Sequence, residues 1–463
     1  MDLLLAHGHF LGEDVQEQGI MRPYPPLGLL YLSSHLKARG FAVAVFDATF
    51  RRREDFAALL RRARPSVVGL YANLMTKRSV LRLMAECRRH GAPVVVGGPD
   101  PPSYAEEYLE AGADVVVVGE GEATLEELLP RLIRRPGSRD LGGVTGIAYR
   151  DEHGRLVRTP PRALLPRLDA QPWPDREAVD LGAYLAAWRA RHGLGSVSLL
   201  TARGCPYTCR WCSRSVFGET HRRRSAPAVA DEVRWIVDRY APDMLWYADD
   251  VFTIHHGFLH AFAEEMGRRG LRVPFECISR ADRVDAGAAE LLARLGCRRV
   301  WIGSESGSQA VLEAMDRRVR VEQVVSATRA LRGRGIEVGL FVMLGYPGEE
   351  EGDLRATIAH LKEAAPDAFL TTVAYPIKGT PFHDEVRERL RAPGPWAEHT
   401  DRDLAVRGAR TARYHRFARQ WLEGEVARDR HWRAGRYLPA ARAAARAGWG
   451  RLGTRVFARE RIE

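Results

Sequence analysis

The stretch GCPYTCRWC, Gly204 to Cys212, carries three of the chain's six cysteines, at Cys205, Cys209 and Cys212. A structural zinc site takes four ligands, commonly as two separated pairs. No second pair exists in this sequence, and the nearest downstream histidine, His221, stands nine residues beyond Cys212. An iron–sulfur cluster held by four protein thiolates would also lack a ligand. Three cysteines in this spacing imply a cluster with one iron open to an exogenous ligand; a zinc knuckle or chance spacing is the plainer alternative. The remaining cysteines, Cys87, Cys277 and Cys297, are scattered. They form no disulfide framework, and reduced thiols in a reducing compartment are expected. Cys277 and Cys297 read as buried small hydrophobes.

On either side of this run the chain alternates strand and helix. Downstream, the strand-like segments are SVSLLTAR (which leads into the cysteines), DMLWYADD, PFECISR, RRVWIGSES, EVGLFVMLG and AFLTTVAYP, with amphipathic helices such as APAVADEVRWIVDRY between them. Six βα repeats predict a partial (β/α)6 barrel over 196–385, with its chemistry in the loops at the carboxyl ends of the strands. Upstream, residues 1–140 also alternate, from MDLLLAHG through FAVAVFDA, SVVGLYAN and APVVVGG to ADVVVVGEGE and the helix ATLEELLPRLIRR. Short apolar strands separated by amphipathic helices predict a parallel, doubly wound, Rossmann-like sheet. Residues 141–195 are proline-rich and read as an ordered connector. Residues 386–463 turn Arg/Ala-rich and read as helical.

At the cysteine run and at the strand ends after it, the sequence resembles the radical S-adenosylmethionine (SAM) superfamily. The resemblance implies a [4Fe–4S] cluster on Cys205, Cys209 and Cys212, with the amino and carboxylate groups of SAM on the fourth iron and Tyr207 or Trp211 shielding the cluster. YADD, with Ala248, Asp249 and Asp250, resembles the motif that receives the SAM ammonium. Arg280 in CISRAD would hold the SAM carboxylate or a substrate anion. Ser304 and Glu305 in WIGSESGS would contact the ribose or methionine end. In GLFVMLGYPGEE, Gly345 would let the backbone approach the adenine, while Pro347 and Glu349 fix the turn. YPIKGTPF, with Gly379 and Thr380, resembles the sixth strand ending. A surface acidic pair or a structural salt bridge would account for single motifs, but not for five in this order.

A doubly wound domain placed directly before such a barrel resembles the cobalamin-binding subclass, which includes anaerobic magnesium-protoporphyrin ester cyclase-like proteins, hopanoid methylases and antibiotic-pathway C-methyltransferases. The resembling stretches are PPLGLLYLSSHLKARG, VVVGGPDPP and VVVVGEGEATLEELL. Gly97 and Gly98 would let the corrin tail lie against the backbone, and residues 69–76 would flank its nucleotide. In HGHFLG, residues 7–12, His9 stands where other cobalamin proteins carry a lower cobalt ligand, but His7 replaces the orienting aspartate. A loop histidine near the corrin is the expected role for His9. No dinucleotide fingerprint follows the first strand. Only Cys87 lies in this domain, which excludes the second cluster of methylthiotransferases.

Net charge is +11, and residues 400–463 alone hold 16 arginines against 7 acids, with Trp421, Trp432 and Trp449 among them. Such a region lies on anionic membrane, binds nucleic acid, caps the barrel or is simply a solvated helical face. Membrane contact is the preferred functional expectation; no RNA-binding module accompanies the tail. No apolar run reaches the ~18–20 residues of a membrane span, so the expected location is the cytoplasm, peripheral at the membrane.

The resemblance implies reductive cleavage of SAM to a 5′-deoxyadenosyl radical, hydrogen abstraction from an unactivated carbon, and methyl transfer through methylcobalamin. The substrate would be a small molecule (a lipid, tetrapyrrole or natural-product intermediate), with flavodoxin or ferredoxin as electron donor. Radical oxidative cyclisation or rearrangement without net methylation is the enzymatic alternative. A degenerate cofactor-binding or regulatory protein is the non-enzymatic one.

Overall fold

The computed structural model describes residues 1–134 and 140–463. The chain divides into two compact units. The first holds Met1–Pro206, Ser213–Trp246 and Gly394–Thr400; the second holds Tyr207–Cys212, Tyr247–Pro393 and Asp401–Glu463.

In the first unit, seven strands form one sheet: β1 (Leu3–His7), β2 (Val43–Phe46), β3 (Val67–Tyr71), β4 (Val94–Gly97), β5 (Val115–Val117), β6 (Ile147–Arg150) and β7 (Leu156–Arg158), in the order 2-1-3-4-5-6-7. Strands β1–β5 are parallel. Alternate residues feed two separate cores, Leu4, Ala6, Val68, Val94 and Val96 on one face and Leu3, Leu5, Val67, Val95 and Val115 on the other. Burial on both faces explains the near-continuous apolar runs. The connecting helices are α1 (Val15–Ile20), α2 (Leu27–Lys37), α3 (Arg53–Ala63), α4 (Lys77–Arg89), α5 (Ala105–Glu110) and α6 (Glu122–Arg134). The predicted helix over 123–135 is thus observed to Arg134, and Arg135 lies outside the described residues. Strands β6 and β7 form an antiparallel edge that falls in the stretch expected to be a connector. The prolines lie after this hairpin, so they do not interrupt its ladder.

Helix α7 (Leu181–His192) leads into β8 (Ser196–Leu199) and the short β9 (Ala202–Arg203), which pairs with β10 (Arg222–Arg223); α8 (Ala226–Tyr240) and β11 (Met244–Tyr247) follow. Pro227 in the first turn of α8 and the Ser225 side chain, which accepts from Ala228 N, set its start. The division between the units falls at Trp246/Tyr247, inside β11.

The second unit carries β12 (Phe275–Ser279), β13 (Cys297–Glu305), β14 (Glu337–Leu344) and β15 (Ala368–Val373), all parallel. They complete a six-stranded sheet in the order 15-14-13-12-11-8, the single-layer sequence expected of a partial barrel. Its helices are α9 (His256–Arg268), α10 (Ala286–Leu295), α11 (Gln309–Ala314), α12 (Val321–Arg332), α13 (Glu351–Ala364) and α14 (Pro381–Val386). Cys277 and Cys297 are buried on neighbouring strands, and burial pushes the Cys277 thiol up, reinforced by Cys297.

The C-terminal region forms a long helical hairpin, α15 (Ala412–Arg433) and α16 (Tyr437–Val456). The two helices approach closely because glycines face the partner. A Cβ on Gly450 would stand 2.4 Å from Trp421 N, and one on Gly424 would stand 2.7 Å from Ala447 N. Trp421 is buried in this packing, whereas Trp432 and Trp449 are exposed. Many tail arginines are paired within the unit, Arg410 with Glu350, Arg428 with Glu425 and Arg433 with Asp429 among them. No helix among the described residues is long and apolar enough to cross a membrane.

This packing makes opposite predictions for two glycines of α16. Gly450→Leu must force the helix backbones apart and should lower stability by about 1–3 kcal/mol. Gly448, with nothing within 4 Å of its Cβ position, should gain about 0.5–1 kcal/mol on conversion to Ala. Thermal melts of the two variants check both signs.

Candidate functional site

The cysteine run follows β9 on a loop without regular structure. Its base is fixed inside the first unit. Arg203, the residue before Gly204, is buried and donates to Glu120 at 2.8 Å, while its other nitrogen pairs with Glu122 at 2.7 Å. Arg222, across the β9–β10 ribbon, also donates to Glu120 at 2.8 Å. Burial opposes the charge on Glu120, yet the hydrogen bonds from Arg222, Arg203 and Leu165 N hold its carboxyl below the ordinary range. The GEGE stretch after β5 therefore clamps the start of the loop. Cys205 belongs to the first unit, and Cys209 and Cys212 to the second.

In the second unit Cys209 is buried, and two guanidinium groups address its sulfur. Arg280 Nη1 lies 3.9 Å from Sγ and Arg317 Nη1 lies 3.7 Å from it. Arg280 follows β12. Its Nε donates to Asp282 at 2.9 Å, its Nη2 to Arg317 O at 3.0 Å, and its guanidinium carbon stands 3.6 Å from the Tyr207 ring centroid. The Tyr207 hydroxyl accepts from Arg283 at 2.5 Å. Arg317 donates to Gly303 O at 2.9 Å and sits 3.8 Å from Glu305. Its neighbours Asp316 and Arg318 both adopt left-handed backbone, φ +48° and +51°. Such conformations are costly for residues with a Cβ, and this turn is what delivers Arg317 inward. Trp211 packs on the cluster of Val311, Met315, Met343, Tyr346 and Phe382.

The other predicted residues fall at the expected strand ends, with altered partners. Asp249 is buried after β11, Ala248 is half-buried and Asp250 is exposed. Arg280 is engaged by Asp282, by Cys209 and by the carbonyls of Arg317 and Arg318. The Ser304 hydroxyl meets His360 Nε2 of α13 at 3.0 Å, and burial lowers the His360 pKa to about 4. Glu305 sits at a bulge with φ +60°, and burial raises its carboxyl against the pull of Arg317 and Arg280. Thr380 caps α14, accepting from His383 N.

Gly345 has φ +75°, and its N–H donates to Glu349 at 2.6 Å. The space where its Cβ would stand is taken by His415 of α15, whose Nε2 lies 2.3 Å from that point. This face of Gly345 therefore receives the C-terminal helix. His415 Nε2 is buried without a hydrogen-bond partner, and desolvation lowers its pKa to about 4.

In the N-terminal unit His7 Nε2 bonds Asp47 at 2.9 Å, and Tyr184 of α7 donates to the same carboxylate at 2.8 Å. An orienting carboxylate exists after all, but it serves His7. His9 is half-buried; its N–H donates to His7 Nδ1, and its own pKa is lowered, chiefly by burial. Gly97 ends β4. Gly98, at φ +114°, has Ala72 O 2.3 Å from its Cβ position, so its missing side chain admits the end of β3.

Sequence reading missed Arg317, His415, Asp47 and Glu120. Arg317 carried a faint signal in MDRR beside an apolar helix; the other three are identified only by what they touch.

Among the described residues, no three Cys, His, Asp or Glu side chains are already gathered as a metal set. The three cysteines fit an iron–sulfur group by donor chemistry: thiols outside any disulfide on an irregular loop, the buried one facing cationic donors.

The chain matches known families in both halves. Residues 199–361 match the Radical SAM superfamily and residues 21–129 match the B12 binding domain. An uncharacterised methyltransferase of Pyrococcus horikoshii is 28% identical over 394 residues, covering 83% of each chain. Anaerobic magnesium-protoporphyrin IX monomethyl ester cyclase of Rubrivivax gelatinosus is 26% identical, over 74% of this chain and 63% of its own length. Among solved structures, the radical SAM methyltransferase TsrM of Kitasatospora setae, with cobalamin and a [4Fe–4S] cluster bound, superposes with a TM-score of 0.69 at 24% identity, over 85% of this chain and 78% of that one. The cobalamin-dependent radical enzyme OxsB with aqua-cobalamin gives 0.75 at 18%, over 92% and 67%. At these identities the structures establish the shared fold.

Two measurements follow. Burial raises the Glu349 pKa from 4.5 to about 7, against the pull of Gly345 N–H. The folded state keeps this proton where the unfolded state loses it, so the contribution of Glu349 to stability falls as pH rises from 4.5 to about 7. Urea midpoints of wild type and Glu349→Gln should coincide near pH ~4 and separate in favour of the variant near pH ~8. In cluster-loaded protein, Arg317→Met should lower the cluster midpoint potential by on the order of 50 mV, with Arg317→Lys restoring part of it, read by EPR-monitored redox titration.

Proposed function

We propose, on the premise that this chain is a radical SAM protein with an N-terminal B12-binding domain, that it transfers a methyl group to a carbon atom of a small-molecule substrate. The observation that carries the reading is Cys209: a buried thiol within a run of three, its sulfur met by Arg280 and Arg317. Positive charge beside a ligand sulfur favours the reduced form of a cluster that must accept an electron.

When bound, the cluster supplies the electron that cleaves SAM, and cobalamin supplies the methyl group. The chain's residues do the positioning. Cys205, Cys209 and Cys212 hold the cluster. Tyr207, stacked under Arg280, and Trp211, packed on an apolar cluster, exclude water beside it. The buried Asp249 would receive the SAM ammonium. The turn after β4, with Gly97 and Gly98, would hold the tail of cobalamin. His9 is not the cobalt ligand in this reading, because no carboxylate orients it.

A second reading is radical oxidative cyclisation without methyl retention, favoured by the likeness to the Rubrivivax cyclase. A flavodoxin- or ferredoxin-type protein would donate the electron. Six cysteines outside any disulfide suit a reducing cytoplasm.

Anaerobic turnover with methyl-labelled SAM distinguishes the readings: label retained in product supports methyl transfer, and an oxidised, unlabelled product supports the cyclase-like reaction. Cys209→Ala should lose the cluster absorbance and SAM cleavage together. A variant that kept a full cluster and cleaved SAM would remove the assignment.

A further inference from the structure

Helix α16 has two faces of opposite character. Ala440, Ala447, Gly450 and Thr454 are buried, and Gly450 lies against the backbone of Trp421 in α15. The other face points outward. Leu438, Ala441, Ala445, Trp449, Leu452 and Val456 recur at steps of three and four residues, the repeat that places side chains on one stripe, and all six are exposed. The large ones are open to an unusual degree: Leu438 78%, Trp449 62%, Leu452 55% and Val456 65%. At the hairpin turn Trp432 and Tyr437 pack edge to face with ring centroids 5.3 Å apart, and both are exposed. Contiguous exposed apolar side chains of this size mark a surface that something covers.

The charges around the stripe indicate what covers it. At 100° per residue, Arg442 and Arg446 flank one edge and Arg451 and Arg455 the other. Helix α16 contains no acidic residue. The acids facing these arginines come from neighbouring helices: Glu423 pairs with Arg446 at 2.6 Å and Glu351 approaches Arg455 at 3.6 Å. Arg451 lies over the Trp421 ring at 5.6 Å. The surrounding region, residues 400–463, still keeps a surplus of nine positive charges. An apolar stripe between two rows of arginine, with tryptophan in it, is complementary to the plane where acyl chains meet anionic headgroups. Because the inner face is already locked to α15, this amphipathic helix is preformed and needs no folding on contact.

We infer that the outer face of α16, with Trp432 and Tyr437 at its tip, is a docking surface for an anionic lipid bilayer, on which the helix lies flat. The inference is independent of the proposed reaction, since no residue in the stripe belongs to the candidate site.

The full chain should be tested by co-sedimentation with vesicles of phosphatidylcholine mixed with phosphatidylglycerol, and with vesicles of phosphatidylcholine alone. Binding is expected to the mixed vesicles at low salt, to fall steeply as salt rises, and to be weak on the neutral ones. The triple variant Leu438→Ser, Trp449→Ser, Leu452→Ser should bind on the order of 100-fold more weakly, while its thermal melt and SAM cleavage match wild type. Arg442→Gln with Arg451→Gln should lose the salt dependence in part. Equal binding to both vesicle types, unchanged binding by the triple variant, or no binding at low salt would each overturn the proposal. So would a dimer in light scattering that the triple variant dissolves, which would make a second copy the occupant, or binding to RNA in place of vesicles.

Discussion

Two guanidinium groups and one thiol meet in the interior of the second unit, and much of the unit is arranged to allow it. Arg280 and Arg317 are 2% and 6% exposed. A buried cation is costly unless its donors are spent. Here most are spent on Asp282, on the carbonyls of Arg317 and Gly303, and on the sulfur of Cys209, while Arg317 Nε makes no hydrogen bond and faces Glu305 at 3.8 Å. Each bond ties a different piece of chain to the same point: the end of β12, the bulge in β13 and the turn after α11. The left-handed backbone at Asp316 and Arg318 is the local strain that this convergence requires. A lysine at either position would keep the charge but not the fork that reaches sulfur and carbonyl together.

The same unit shows how a C-terminal helix becomes part of a barrel. His415 sits where Gly345 lacks a side chain, beside a carboxyl whose proton is retained to about pH 7. Two buried polar atoms there, His415 Nε2 and Glu349 Oε1, have no protein partner. Buried polar groups are seldom left unpaired, so this corner carries an uncompensated desolvation cost. The outward face of the next helix is apolar and arginine-edged, so the hairpin presents one chemistry to the barrel loops and another to its surroundings.

In the first unit the corresponding constraint is the carboxylate pair after β5. Glu120 and Glu122 hold Arg203, and Glu120 also holds Arg222, so the last strand residue before the cysteine run is fixed from an acidic turn about 80 positions earlier in the chain. The motif looked like a signature in the sequence, and its physical work is to neutralise the buried Arg203 and the half-buried Arg222.

The order of strands and helices, the doubly wound sheet, the barrel strands and the cysteine triad were legible because they rest on local quantities. Apolar runs buried on both faces, the amphipathic helices between them and a spacing of thiols all sit within a few residues of chain. Tertiary structure alone decided what Arg280, Ser304 and Gly345 face, which carboxylate serves His7 and which does not serve His9, and that Trp421 is core while Trp449 is surface. It also decided that residues 147–158 extend the first sheet. Each of these depends on a partner far along the chain, Arg317 for Arg280, His360 for Ser304, His415 for Gly345 and Asp47 for His7. A side chain's partner at that separation is selected by packing and by the cost of leaving a buried polar group unpaired, and neither is written in the residues beside it.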